Sequence, residues 1–246
     1  MSNLPLVTVI TISHNNVADI ERTLLSVLSQ RYPRMSYVVW DGSSQDGTLD
    51  IIKRYADRIT YWVSEPSQGT FDAMNKAAKK AVELANTAEQ WLFFLYAGDC
   101  FADDDVLMKA FSQDNLNYAQ LLMFGGGVDR IKADGSVAVT EPAKPVNVIP
   151  KEPAFTISSG FVRADVCQFD LDYPLAADYA LMYDLYYRHG VGSIASLGFP
   201  IVNSPEETHE ARLLNRRVIM GEYLGIRSQH ISWAWVKEYF RWRFLG

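Results

Sequence analysis

The apolar positions of the first hundred residues follow two alternating rhythms. Residues 6–12 (LVTVITI), 36–40 (SYVVW), 59–63 (ITYWV) and 91–96 (WLFFLY) are short, nearly continuous apolar runs, as expected for strands buried on both faces. Between them the apolar positions recur at helical spacing. Ile20, Leu24, Val27 and Leu28 form one such stripe and stop before Tyr32-Pro33; residues 48–56 form a second. Residues 70–85 (TFDAMNKAAKKAVELA) form the most regular helical pattern of the chain. Strands that alternate with helices predict βαβ units and a doubly wound, mainly parallel α/β sheet.

The rhythm changes after residue 105. Residues 119–142 predict strands joined by a turn at Asp134-Gly135, and the Pro-rich stretch 142–153 predicts a loop. Residues 173–190 predict an amphipathic helix with Leu181, Met182 and Leu185 on its core face, and residues 193–203 (SIASLGFPIVN) predict one further strand. Residues 206–246 predict two helices rich in Arg and aromatic residues. This divides the chain into residues 1–205, in two halves (1–105 and 106–205), and a helical extension (206–246).

Composition narrows the function. With 246 residues, 48% of them hydrophobic, the chain can bury a full α/β core. A formal charge of −6 argues against a nucleic-acid partner, which asks for a basic face. Two cysteines, Cys100 and Cys167, make neither a disulfide framework nor a zinc site. The first residues lack the basic segment and cleavage site of a secretory signal, and the apolar runs fall short of the ~18 residues that span a bilayer. A cytoplasmic protein is expected.

In an open parallel sheet, ligands sit at the carboxyl ends of the strands. Three polar stretches occupy such ends: SHNN (13–16), DGSSQDG (41–47) and YAGD (96–99). Asp, Gly and Ser also form turns, and Asp46 suits the cap of the following helix. Asp41 then stands at a strand end with no capping role, which favours a binding role. The three acids at 103–105 precede a helical run and read as capping and dipole-complementing residues.

The segments VTVITISHNN, VVWDGSSQDGTLDIIKRY, SEPSQGTFDAMNKAAKKA, FFLYAGD and AADYALMYDLYYRHG together resemble the successive motifs of family 2 glycosyltransferases with a GT-A fold. The branch they most resemble builds bacterial capsule, exopolysaccharide or lipopolysaccharide chains. The resemblance runs through residues 6–105 and resumes near 156–190. It implies that Asp41 receives the nucleotide base, accepting an N–H of the ring, with Thr11, Ser13 and Gly42 lining the same pocket. Asp72 and Asn75 lie one helical turn apart and would face the nucleotide sugar with Tyr96; for Asp72 a helix-capping role is the competing reading. Lys76 reads as a phosphate contact or a surface charge.

Asp99 resembles the last acid of the family's DxD motif, which holds Mg²⁺ or Mn²⁺ on the diphosphate. Here Tyr96 and Gly98 stand where acidic residues are usual. His209, in NSPEETH (203–209), would add a metal or diphosphate contact where relatives carry a Gly-rich loop, and Ile157 stands near a place where many carry His. Asp178 matches the catalytic base of an inverting transfer, and it can also cap the helix it begins. The donor implied is a nucleoside diphosphate sugar, with UDP first and GDP or dTDP as alternatives. The acceptor implied is a glycan, lipid-linked in the closest branch. The end of the chain (ISWAWVKEYFRWRFLG) mixes Trp233 and Trp235 with Lys237, Arg241 and Arg243. That composition suits a helix resting on an anionic membrane at the inner face of the cell, or one packed on the protein or on a second copy in a homodimer. EYFRW is similar to the Q/RxxRW motif of processive synthases, a match read as chance without membrane helices. Two other classes have sequence features against them. A sugar nucleotidylyltransferase asks for a Gly-rich basic loop after the first strand, and a dinucleotide oxidoreductase asks for GxGxxG there. An inactive nucleotide- or glycan-binding scaffold is the non-enzymatic alternative.

Overall fold

The computed structural model describes residues 4–85, 87, 89–111, 120–132, 134–205 and 216–228. The elements in order are β1 (Leu6–Ser13), α1 (Ile20–Leu28), β2 (Met35–Asp41), α2 (Thr48–Arg54), β3 (Tyr61–Ser64), α3 (Thr70–Ala85) and β4 (Gln90–Tyr96). Next come β5 (Cys100–Phe101), α4 (Val106–Phe111), β6 (Leu122–Phe124), β7 (Gly127–Ile131), β8 (Val137–Pro142) and β9 (Gly160–Arg163). They are followed by α5 (Ala177–His189), β10 (Ile194–Ser196), β11 (Val202–Pro205) and α6 (Arg216–Ser228). The main sheet has seven strands in the order β10-β6-β9-β4-β1-β2-β3. Only β9 runs against its neighbours β4 and β6; the other pairs in that sheet are parallel. The mainly parallel, doubly wound α/β architecture expected from the alternation is what the chain adopts.

Strand alternation feeds two cores. Ile10, Val38, Leu92, Phe94 and Val162 face α3 and α5, while Val9, Val39, Phe93, Leu95 and Phe161 face α1, α2 and α4. All ten are fully or almost fully buried, which explains why these strands read as continuous apolar runs. Each such side chain contributes about 1.5–3 kcal/mol of burial free energy. The α3 stripe Phe71, Met74, Ala78 and Ala81 is buried as its spacing predicts, and small Ala residues let the helix lie close on the sheet.

A second sheet, β5-β11-β7-β8, is mixed. Here the structure corrects the reading of residues 193–203 as one strand. The chain turns at Gly198, whose φ of +74° suits glycine. It thereby forms two strands, with β10 pairing β6 in the main sheet and β11 joining the second. Three glycines at 125–127 mark the crossing between sheets. A Cβ on Gly126 would lie 2.8 Å from the Gly198 backbone, and one on Gly127 would lie 2.7 Å from the Glu141 carbonyl. The expected hairpin forms between β7 and β8, with Gly135 at its turn.

Of the expected pair of tail helices, α6 is described. His209, Trp233, Trp235, Lys237, Arg241 and Arg243 lie outside the described residues. Among those described, no helix is long and apolar enough to cross a membrane.

Candidate active site

Register places Ser13, Asp41 and Ser64 side by side at the carboxyl ends of β1, β2 and β3. Asp41 is fully buried. Its Oδ2 accepts the Ser44 amide at 2.8 Å and the Ser64 hydroxyl at 2.7 Å, and Oδ1 accepts the Ser44 hydroxyl. The expectation that Asp41 is free of a local role is therefore corrected: an Asx-like turn uses it, because a carboxylate at a strand end is a ready acceptor for the next amides. Asp46 stands one residue ahead of Gly47, which takes the cap position of α2 expected for Asp46, and it accepts the Thr48 and Val17 amides, each at 3.0 Å. Its hydrogen bonds, that from Thr48 foremost, hold its carboxyl below the usual range.

The loops after β1 and β2 are stitched together. The Asn15 amide donates to Ser44 Oγ at 2.8 Å, Gln45 N to Asn15 Oδ1 at 2.9 Å, and Asn16 N to Thr48 Oγ1 at 2.8 Å. These bonds hold Asn15 and Ser43 in left-handed conformations, with φ of +52° and +65°, that side chains seldom adopt. His14, which the sequence reading passes over, donates from Nδ1 to the Gly42 carbonyl at 2.8 Å, leaving Nε2 to accept from Asn15 Nδ2 at 3.1 Å. Its imidazole leans on Gly42, where a Cβ would meet Nδ1 at 3.3 Å. The signal was its place at a strand end between Ser13 and Asn15. Thr11 departs from expectation: its hydroxyl pairs with the Tyr37 hydroxyl at 2.9 Å inside the core, so it sits below the edge.

At the start of α3, Asp72 Oδ2 accepts the Gln68 amide at 2.8 Å and pairs with Lys76 at 2.9 Å. The amide bond first and Lys76 second hold its carboxyl below the usual range. Asn75, expected to face the nucleotide sugar with Asp72, is bonded here to backbone. Both ends of its amide are bonded to the Phe169 backbone, at 2.8 and 2.9 Å, tying the loop ahead of α5 to α3. The acids at 103–105 pair with Arg31 and Lys109, and Asp103 accepts the Asp105 amide at 2.9 Å just ahead of α4, whose first turn holds no acid.

Beyond β4 the chain makes a tight turn in which the Asp99 amide donates to the Tyr96 carbonyl at 2.9 Å and Gly98 has φ of +108°. Thr23 of α1 clamps it, accepting the Gly98 amide and donating to the Asp99 carbonyl, each at 2.8 Å. Asp99 is 8% exposed, and Ser204 Oγ of β11 donates to its Oδ1 at 2.5 Å. Asp178 lies in the first turn of α5, two residues past the cap, which is Ala176 rather than Asp178 as expected. Its Oδ1 accepts the Tyr179 amide at 2.8 Å. Burial pushes its carboxyl up to about 6, against the opposing pull of backbone amides, and Glu222 adds to the rise. Tyr96 links the two acids. Burial first, and then the negative charges of Asp178 and Asp99, raise its hydroxyl above the ordinary tyrosine value. The charges of both carboxylates thus bear on the Tyr96 hydroxyl at the end of β4.

No group of three or more His, Cys, Asp and Glu side chains comes together among the described residues. The donor set for a divalent ion is then Asp99 with its Ser204 neighbour. That fits Mg²⁺ or Mn²⁺, hard ions that accept one protein carboxylate and draw other ligands from water and phosphate.

Comparison with known proteins agrees with this architecture. The model of glycosyl transferase family 2 matches residues 8–136. The uncharacterised glycosyltransferase Rv1514c of Mycobacterium tuberculosis is 32% identical over 185 residues, covering 72% of this chain and 68% of that protein. Among solved structures, TarS of S. aureus in complex with UDP superposes with a TM-score of 0.60 at 17% identity, over 82% of this chain and 61% of that one. The mannosyltransferase PcManGT of Pyrobaculum calidifontis, in complex with GDP-Man and Mn²⁺, superposes at 0.63 with 18% identity, over 94% of this chain and 66% of that one. The chain spans about three fifths of TarS, and both likenesses establish the GT-A fold. The family match over more than half the chain decides the wider question: this protein belongs to glycosyltransferase family 2.

Proposed function

We propose that the protein is an inverting glycosyltransferase that moves a sugar from a nucleoside diphosphate donor, UDP-linked in the first instance, to a lipid-linked glycan of the cell surface. The observation that carries this reading is the alignment of Ser13, Asp41 and Ser64 at the carboxyl ends of β1, β2 and β3, with Asp99 beside Ser204 in the turn that follows β4. Asp178 is the base: it takes the proton of the acceptor hydroxyl as that oxygen bonds to the anomeric carbon and the bond to the diphosphate breaks. A carboxyl titrating near 6 is ionised at neutral pH yet more basic than a surface Asp. Asp99 would hold Mg²⁺ or Mn²⁺, which neutralises charge on the departing diphosphate. Asp41, Ser13, Gly42 and His14 form the base pocket, in which Ser44 and Ser64 yield part of Asp41 to the ligand. The donors in the TarS and PcManGT complexes support a nucleotide ligand, and the aromatic, basic end of the chain supports an acceptor presented at a membrane.

A thermal-shift screen of UDP, GDP and dTDP sugars with and without Mn²⁺ identifies the donor, since a ligand bound only by the native state raises its stability. With that donor, Asp178→Asn lowers turnover by about 10²–10⁴-fold while the donor-induced shift persists. Wild-type turnover in the variant would remove Asp178 from the chemistry.

A further inference from the structure

Helix α6 follows residues 206–215 and lies well beyond the residues matched by the family model, yet it packs directly behind the proposed base. Its Ile226 is buried, and its Tyr223 ring meets the Tyr179 ring edge-on at 4.7 Å. Arg227 Nη1 donates to the Lys151 carbonyl at 3.0 Å, and a Cβ on Gly225 would lie 3.3 Å from the Tyr173 ring. Within this packing Glu222 Oε2 accepts the Leu175 amide at 3.0 Å. Leu175 stands three residues before Asp178, at the end of the loop whose other anchor is the Asn75–Phe169 pair.

We infer that α6 completes the active site and that Glu222 is a positioning residue for Asp178, fixing the loop that delivers the base and holding a second negative charge beside it. This inference rests on the proposed role of Asp178.

Three observations carry it. An amide bonded to a carboxylate is stronger than a neutral pair, so Glu222 restrains Leu175 more firmly than a loop carbonyl would. The groups around Asp178 come from several elements: Tyr96 at the end of β4, the Ile157 backbone, and Tyr223 with Glu222 on α6. Glu152 acts on Tyr179 and Tyr223, while the cation Arg227 bears on Tyr179. The negative charge of Glu222 adds to the rise of the Asp178 carboxyl, since a like charge disfavours its ionisation.

The test separates charge from tether without needing the donor. In protein carrying ¹³C-labelled Asp carboxyls, Asp178→Asn identifies the Asp178 resonance, and its titration is followed in wild type, Glu222→Gln and Glu222→Ala. Glu222→Gln keeps an oxygen for the Leu175 amide and removes the charge, so the Asp178 midpoint moves to lower pH while Leu175 stays protected from hydrogen exchange. Glu222→Ala lowers the midpoint and also speeds Leu175 exchange about tenfold, as expected when one hydrogen bond is lost. An Asp178 midpoint unchanged in Glu222→Gln, or Leu175 exchange unchanged in Glu222→Ala, overturns the inference. Failure of the proposed function would show elsewhere, as normal turnover in Asp178→Asn.

Discussion

The two ends of the candidate site are built on opposite principles. At the nucleotide end, Asp41 is fully buried but receives three donors from Ser44 and Ser64, and the loops around it are cross-bonded from Asn15 to Thr48. At the transfer end, Asp178 receives the Tyr179 amide and is pushed up to about 6 by burial. Both are carboxylates of the candidate site. One is satisfied where it stands, and the other is held in a less favourable ionised state. The difference fits the roles proposed for them: a binding carboxylate can be settled before its ligand arrives, whereas a base must retain a reason to take up a proton.

The same substitution should therefore act with opposite signs at the two ends. Asp41→Asn exchanges an acceptor oxygen for an N–H₂ among buried donors and weakens charge-assisted bonds, costing about 1–3 kcal/mol in chemical denaturation. Asp178→Asn should stabilise. A carboxyl raised in the folded state contributes stability at pH values below its unfolded value, and that contribution is lost as pH rises through 6. At pH 7 the wild type has lost it and the Asn variant has not, so the variant gains about 1–3 kcal/mol. The gain shrinks through the acid range and disappears below about pH 4. Two losses of similar size, with no pH dependence at Asp178, would break the contrast.

Much of this edge was legible because strand ends are local features. Continuous apolar runs mark buried parallel strands, and the polar residues that follow must lie where ligands gather, which brings Ser13, Asp41 and Asp99 to one edge. What escaped depends on pairing over long distances. Ser204 reaches Asp99 across 105 residues through the register of β11 with β5, and no periodicity near residue 204 announces that. Residues 193–203 look like one strand because their apolar content is continuous, but Gly198 divides them between two sheets. Thr11 points into the core because alternation along β1 allots it to the Tyr37 side, a fact visible only once β2 is beside it. Glu222 carries no motif at all, and its role exists only through the packing of α6 on α5 and the loop before it.

Asp72 tests which end the start of α3 serves. Its carboxylate takes the Gln68 amide and pairs with Lys76, two uses among roughly four acceptor positions, so a cap and a ligand contact can coexist. Asp72→Ala removes a first-turn acid that reaches back to the Gln68 amide ahead of the helix, at a cost of about 1 kcal/mol in thermal or chemical melting. Because its carboxyl is held below the usual range, that stability is present above the unfolded value and lost as pH falls. The cost should then fade in acid, and only the partly exposed Lys76 share should weaken with salt. Donor affinity in the same variant is the deciding measurement. A fall beyond what the lost stability explains adds Asp72 to the nucleotide end, whereas unchanged affinity confines it to holding the first turn of α3.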